Sequence, residues 1–145
     1  MLVSTKGRYA LRIMLELGRY DKETRVPLPL IAAKHGISEK YLESIVSTLV
    51  KAGLVGGVRG KGGGYSLVKS LEECSVGEIL RLTEGSLAPV SCLEGEENQC
   101  PNACDCATLP LWEKLDSLIN DYLDGIKLSE LAASQGEGCT GGCIR

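Results

Sequence analysis

Residues 54–58 and 65–68 read as two short β-type segments joined by Arg59-Gly60-Lys61-Gly62-Gly63-Gly64, a glycine-rich tip carrying two cations. That pattern is a hairpin, and everything before it is helical in period. Over residues 4–20 the apolar positions Tyr9, Ala10, Ile13, Met14 and Leu17 recur at helical spacing, with Ser4 placed to cap. After a polar turn at 21–26 a short helix opens around residues 27–29, where proline's fixed φ suits a first turn, and stops at Gly36. Ser38 then caps a third helix running to about Ala52. Its expected inward stripe is Leu42, Ile45, Val46, Leu49 and Val50, and Gly53 ends it. Helix, Gly36-containing turn, helix is the outline of a helix-turn-helix. With a basic hairpin behind it, the expected class is a winged helix, mainly α with a small β wing. The tip is no nucleotide-binding loop: the P-loop spacing needs Gly at position 55 and Ser or Thr at 62, where Val55 and Gly62 stand.

Charge divides the chain. Residues 1–70 hold 12 Lys/Arg against 5 Asp/Glu, a net +7, whereas residues 71–145 hold 4 against 14, a net −10. A basic first half can present a face to nucleic acid even though the whole carries −3. The longest apolar run, residues 26–33, falls far short of the roughly 20 residues that a spanning helix needs. The start, Met1-Leu2-Val3-Ser4-Thr5-Lys6, reaches charge before a signal-peptide core could build up. The expected setting is therefore the reducing cytoplasm, with no membrane. In that compartment seven cysteines point to metal or redox chemistry before disulfides. A single histidine, His35, makes a histidine-based triad or a two-histidine zinc site hard to build.

Beyond the hairpin, Ser75-Val76-Gly77-Glu78 is a capping box opening a helix through Ile79, Leu80 and Leu82 to about Glu84. Residues 85–107 keep no apolar period and hold four cysteines, two prolines and an acidic patch at 94–97; loops of this length are often functional. From Thr108 or Pro110 another helix carries Leu111, Leu115, Leu118, Ile119, Tyr122 and Leu123 on one stripe. A homodimer seam is the natural use of that stripe, and packing back on its own domain is the alternative. A short helix at about 128–134 leads to a glycine-rich tail with Cys139 and Cys143. The organisation expected is a DNA-binding domain at 1–84, a sensor loop at 85–107, dimerisation and terminal helices at 108–134, and a flexible tail at 135–145.

The second helix of a helix-turn-helix enters the major groove by its start, so Ser38, Glu39, Lys40, Tyr41, Glu43 and Ser44 are expected at base edges and phosphates. Glu43 can accept from a cytosine amino group but repels phosphate, which suits specificity. At the wing tip the glycines let backbone approach a phosphate chain, and Arg59 and Lys61 supply charge. Cys92-x7-Cys100-x3-Cys104-x-Cys106 sets four thiols within 15 residues. Thiolates suit iron–sulfur clusters and zinc alike, although the paired knuckle spacing usual for zinc is not repeated. Cys74, beside the Ser75 cap, reads as a small packing residue. His35 reads as a C-terminal helix residue favoured by the helix dipole. Cysteine-nucleophile catalysis has no neighbouring histidine to serve as base, so no enzyme is expected.

Ser4-Thr5-Lys6-Gly7-Arg8-Tyr9-Ala10, Ile37-Ser38 with Tyr41-Leu42-Glu43, Gly53-Leu54-Val55 and above all Val58-Arg59-Gly60-Lys61-Gly62-Gly63-Gly64-Tyr65, followed by loop cysteines and Leu111-Trp112, form one pattern. It resembles the IscR-type iron–sulfur cluster regulators, bacterial winged-helix transcription factors that include nitric-oxide sensors and cysteine-metabolism repressors. The resemblance covers nearly the whole chain to about Ala132. It implies a homodimer crossing through the helix at 110–124, on double-stranded DNA with a pseudo-palindromic operator. Contacts are implied at Ser38, Lys40, Tyr41, Glu43, Ser44, Arg59 and Gly60, to which the wing's charge adds Lys61.

The resemblance also implies an iron–sulfur cluster, 2Fe–2S favoured and 4Fe–4S the alternative, held by three loop cysteines. Cys92, Cys100 and Cys106 match these, the first gap being two residues longer than usual. The fourth ligand departs from the pattern. The IscR subgroup's histidine position is Leu109 here, and the region where the nitric-oxide sensors offer an acidic residue holds Arg8. Cys104, extra relative to the family, is the expected fourth ligand, with Cys139 or Cys143 the alternative. The expected function is a repressor whose operator binding follows cluster assembly. The alternative is a cysteine-metabolism type repressor sensing through thiols, zinc or a partner enzyme.

Overall fold

Three serines start three helices by one device. In a computed structural model describing residues 3–135, the Ser4 hydroxyl accepts from the Gly7 N–H at 3.2 Å and opens α1 (Thr5–Leu17). After α2 (Leu28–His35), Ser38 accepts from the Tyr41 N–H at 3.1 Å and opens α3 (Glu39–Lys51). Ser75 accepts from the Glu78 N–H at 3.1 Å and opens α4 (Val76–Glu84). Each bond satisfies a backbone donor that the first helical turn leaves orphaned. At Ser75 only half of the expected capping box forms, because the Glu78 carboxylate turns to Lys69 Nζ at 3.0 Å instead. The turn between α2 and α3 pivots on Gly36, whose φ of 64° is left-handed and open to glycine at no steric cost.

Strands β1 (Val55–Val58) and β2 (Gly64–Leu67) pair antiparallel, Val55 opposite Leu67 and Val58 opposite Gly64. A two-stranded ribbon is marginal alone. Here it is tied to the helices by a bridge in which Val26 and Tyr65 exchange N–H···O bonds of 2.9 Å each. The bridge brings backbone against backbone at Gly64, where a Cβ would lie 2.6 Å from the Val26 carbonyl carbon and oxygen. Gly64→Ala is therefore expected to destabilise the protein by about 1–3 kcal/mol through overpacking. Urea unfolding would show the loss, together with faster amide exchange at Tyr65. Wild-type stability would mean the wing is not held by this bridge.

One core joins the whole fold: Ala10, Ile13 and Met14 of α1, Ile31 of α2, Leu42, Ile45 and Leu49 of α3, and Ile79 of α4 are essentially inaccessible. Each such leucine, isoleucine or methionine side chain contributes about 1.5–3 kcal/mol on burial. Two details depart from the sequence expectation. The first helix ends at Leu17 rather than running to Tyr20, and Val50, expected inward, is 39% exposed because Leu49 takes the core position.

The loop that follows α4 is anchored by buried Leu87 and contains single 3₁₀ turns at Ser91–Leu93 and Ala103–Asp105. Helix α5 (Leu109–Gly125) then lies along α4, where Arg81 grips Asp124 through two bonds of 2.8 and 2.7 Å and Asn120 through one of 2.7 Å. Its apolar stripe splits in consequence. Ile119 and Leu123 pack on the core, while Leu111, Leu115, Leu118 and Tyr122 remain 58, 38, 53 and 69% exposed. Helix α6 (Leu128–Ser134) returns to the core: Leu128 is fully buried and its N–H bonds the Cys74 carbonyl at 3.0 Å.

Candidate nucleic-acid interface and thiol loop

The start of α3 projects outward. Ser38, Lys40, Glu43 and Ser44 are exposed, and Tyr41 is half-buried. Tyr41 stands edge-on to Tyr9 with ring centroids 6.2 Å apart, and the Arg12 guanidinium lies 5.3 Å above the Tyr9 ring. That stack fixes the first turn of α3 against α1. The Ser44 hydroxyl donates to the Tyr41 carbonyl at 2.7 Å, leaving its oxygen free to accept. Arg59, Gly60 and Lys61 are exposed at the wing tip.

Between α3 and the wing runs a cleft of about 300 Å³ lined by Glu43, Ser47, Val50 and Lys51 on one side and Val58 and Arg59 on the other. Of the residues expected from sequence, only Glu43 and Arg59 reach it. Ser47, Val50 and Lys51 lie outside the expected set, which stopped at the opening turns of the helix. Their spacing of four, seven and eight residues from Glu43, one helical face, was the available signal.

Cys92 and Cys100 are half-buried and line one open cavity of about 770 Å³, with Glu96 and Glu97 beside them. Cys104 is exposed on the second 3₁₀ turn. Cys106 sits immediately before α5. A contact of 3.5 Å to the Thr108 hydroxyl, with the N–H groups of Thr108 and Leu109, holds its thiol below the ordinary thiol range. The turns fold the segment on itself, since Ala103 N–H bonds the Cys100 carbonyl at 3.1 Å and Cys106 N–H bonds that of Ala103 at 3.4 Å. Among the described residues no three His, Cys, Asp or Glu side chains converge as a metal cage. The donor set nevertheless fits a thiophilic metal or cluster: four thiols, unpaired with one another, on one loop, one of them biased toward thiolate. Leu109 is the first residue of α5, and Arg8 on α1 donates to the Thr5 hydroxyl at 3.3 Å. Cys139 and Cys143 lie outside the described residues.

Cys74 is fully buried and its thiol is pushed up by burial, in keeping with a packing role. His35 is the last residue of α2, the place the dipole reading gave it, but desolvation disfavours its charged form. Its Nε2 is buried without a partner, and burial holds its pKa below 6.5, outweighing the opposing pull of Glu16; Arg12 and Lys34 add to the lowering. The neutral ring is the folded form. An unfolded chain with the ordinary value then binds more protons, so stability present above about pH 6.5 is lost as pH falls. His35→Gln is expected to flatten that acid limb in thermal melts across pH. An unchanged limb would assign it to carboxylates.

A helix-turn-helix with a basic two-stranded wing defines a winged-helix DNA-binding regulator. The chain belongs to the Rrf2 family, whose profile, described as "Iron-dependent Transcriptional regulator", matches residues 3–134. It is 43% identical over 131 residues to the HTH-type transcriptional regulator IscR of Aliivibrio salmonicida, spanning 90% of this chain and 77% of that one. Among solved structures it is similar to CymR, the global cysteine regulator of B. subtilis, at TM-score 0.74 and 38% identity, covering 93% of this chain and 98% of that one. It is likewise similar to T. potens IscR, at TM-score 0.72 and 35% identity, covering 98% and 94%. The protein is thus a DNA-binding transcriptional regulator of the Rrf2 type and not an enzyme. No helix of the described residues is long and apolar enough to cross a membrane.

Proposed function

We propose that the chain acts in the cytoplasm as a homodimeric repressor that binds a pseudo-palindromic operator under the control of an iron–sulfur cluster, of 2Fe–2S rather than 4Fe–4S type. Cys92, Cys100, Cys106 and Cys104 are the ligands. The observation that carries the reading is the placement of four free thiols on the one loop joining α4 to α5. The curated relatives named IscR add weight to it. Bound, the cluster supplies a group that iron starvation, oxygen or nitric oxide can remove. The chain's part is to hold the loop when its thiols are tied together. Because the loop leaves α4 and enters α5, ordering it biases how the two α3 helices of a dimer are spaced. DNA contact falls to Ser38, Lys40, Tyr41, Glu43 and Ser44 on α3 and to Arg59, Gly60 and Lys61 on the wing. The exposure of all but half-buried Tyr41 and the local cationic charge support the assignment.

A second reading rests on the likeness to CymR, named a global cysteine regulator. The same thiols would then bind zinc, or sense by thiol chemistry or a partner enzyme. Protein purified without oxygen and assayed for visible absorption, iron, sulfide and zinc separates the two. Brown protein with comparable iron and sulfide is the expected result. Colourless protein that holds zinc and refuses reconstitution would overturn the cluster reading and leave the DNA-binding fold standing.

A further inference from the structure

We propose that the cleft between α3 and the wing seats one sugar–phosphate strand of the duplex, with Lys51 and Ser47 as phosphate contacts and Val50 and Val58 as the apolar floor beneath a deoxyribose. The inference rests on the DNA-binding reading and extends it past the opening turns of α3. The start of such a helix takes the major groove, and a cationic wing tip with an arginine suits the adjacent minor groove. One backbone strand always separates a major groove from the neighbouring minor groove. Whatever surface lies between the two reading elements must therefore meet that strand.

The cleft has the matching chemistry. Val50 and Val58, 39% and 49% exposed, line it together, although Val50 belongs to a helix whose other aliphatic residues mostly reach the core. Lys51 and Arg59 bring cations to the same cleft and Ser47 a hydroxyl. A sugar–phosphate chain alternates an apolar ring face with an anion, and this surface alternates in kind. Glu43 lines the cleft two helical turns before Lys51, and its carboxylate repels phosphate. The strand's phosphate is thereby placed at the Lys51 end, with Glu43 left to face a base edge.

Lys51 also sits in the last turn of α3, where a cation favours the helix dipole. The test separates that role from phosphate contact. Binding of the full-length chain to a short fluorescent duplex of mixed sequence is followed by anisotropy over a salt series, with thermal melts in parallel. Lys51→Gln is expected to weaken binding several-fold and to make the log–log salt slope shallower by about 0.9 for each phosphate no longer neutralised, with only the small melt shift that loss of a helix-end cation brings. Val58→Asp, which puts a carboxylate on the floor, is expected to weaken binding by about tenfold, and Lys61→Ala, at the wing tip outside the cleft, is the wing control. If Lys51→Gln and Val58→Asp bind as wild type while Lys61→Ala weakens, the cleft is not a strand seat, and the DNA-binding reading survives. A shifted melt with an unchanged salt slope for Lys51→Gln would equally overturn its phosphate contact. A wild-type chain without salt-dependent binding would instead remove the reading on which the cleft depends.

Discussion

Cys106→Ala is expected to abolish the visible absorption of protein prepared without oxygen, and Cys92→Ala and Cys100→Ala to do the same. A cluster edge left without a thiolate exchanges with solvent, and the metal binds only deprotonated ligands. Cys106 is the most telling of the three. It lies at the mouth of α5, where the Thr108 hydroxyl and two backbone N–H groups already favour its thiolate. Cys104 is the discriminating case, because Leu109 cannot ligate iron. Cys104→Ala is expected to lower the iron and sulfide content and change the spectrum. An unchanged spectrum and content would remove Cys104 from the ligand set and turn attention to Cys139 or Cys143. Far-ultraviolet circular dichroism should stay at wild type throughout, since all four thiols stand outside the core.

Leu115→Glu combined with Leu118→Glu is expected to give a folded monomer with operator affinity reduced by about 10²–10⁴, the range that linking two reading heads adds. Leu111, Leu115, Leu118 and Tyr122 form one exposed line on α5, at spacings of four, three and four residues. In an isologous dimer the same patch of both copies is buried, so each introduced carboxylate would be desolvated against the partner's apolar line. The core is spared, because Ile119 and Leu123 face it from the other edge of the helix. Sedimentation reads the mass and operator titration the affinity. A double variant that still sediments as a dimer would place the seam elsewhere.

Much of the fold was legible because its signals are short-range. Ser4, Ser38 and Ser75 announce helix starts through one local bond each, and Gly36, Gly60 and Gly62 announce turns through φ alone. Periodicity likewise marked Leu42, Ile45 and Leu49 as core. The site was legible by kind: cations and glycines at the wing, four thiols on one loop. Its arrangement was not. Spacing put four cysteines together, whereas the cavity that Cys92 and Cys100 line does not include Cys104 or Cys106.

The sequence by itself therefore determined the element order, the caps, the wing and the chemistry of its two candidate surfaces, each encoded within a few residues. Only the tertiary structure decided matters that depend on partners far along the chain. Arg81's grip on Asp124 and Asn120 chose which edge of α5 meets the core and which stays exposed. The packing of α3 left Val50 in the cleft rather than the core, and the surroundings of α2 left the Nε2 of half-buried His35 without a partner, so that desolvation outweighs what its place at a helix end favours. Helical period defines a stripe only to within about a third of a turn. Which residue of a pair such as Leu49 and Val50 is sealed from water is settled by the neighbour that arrives.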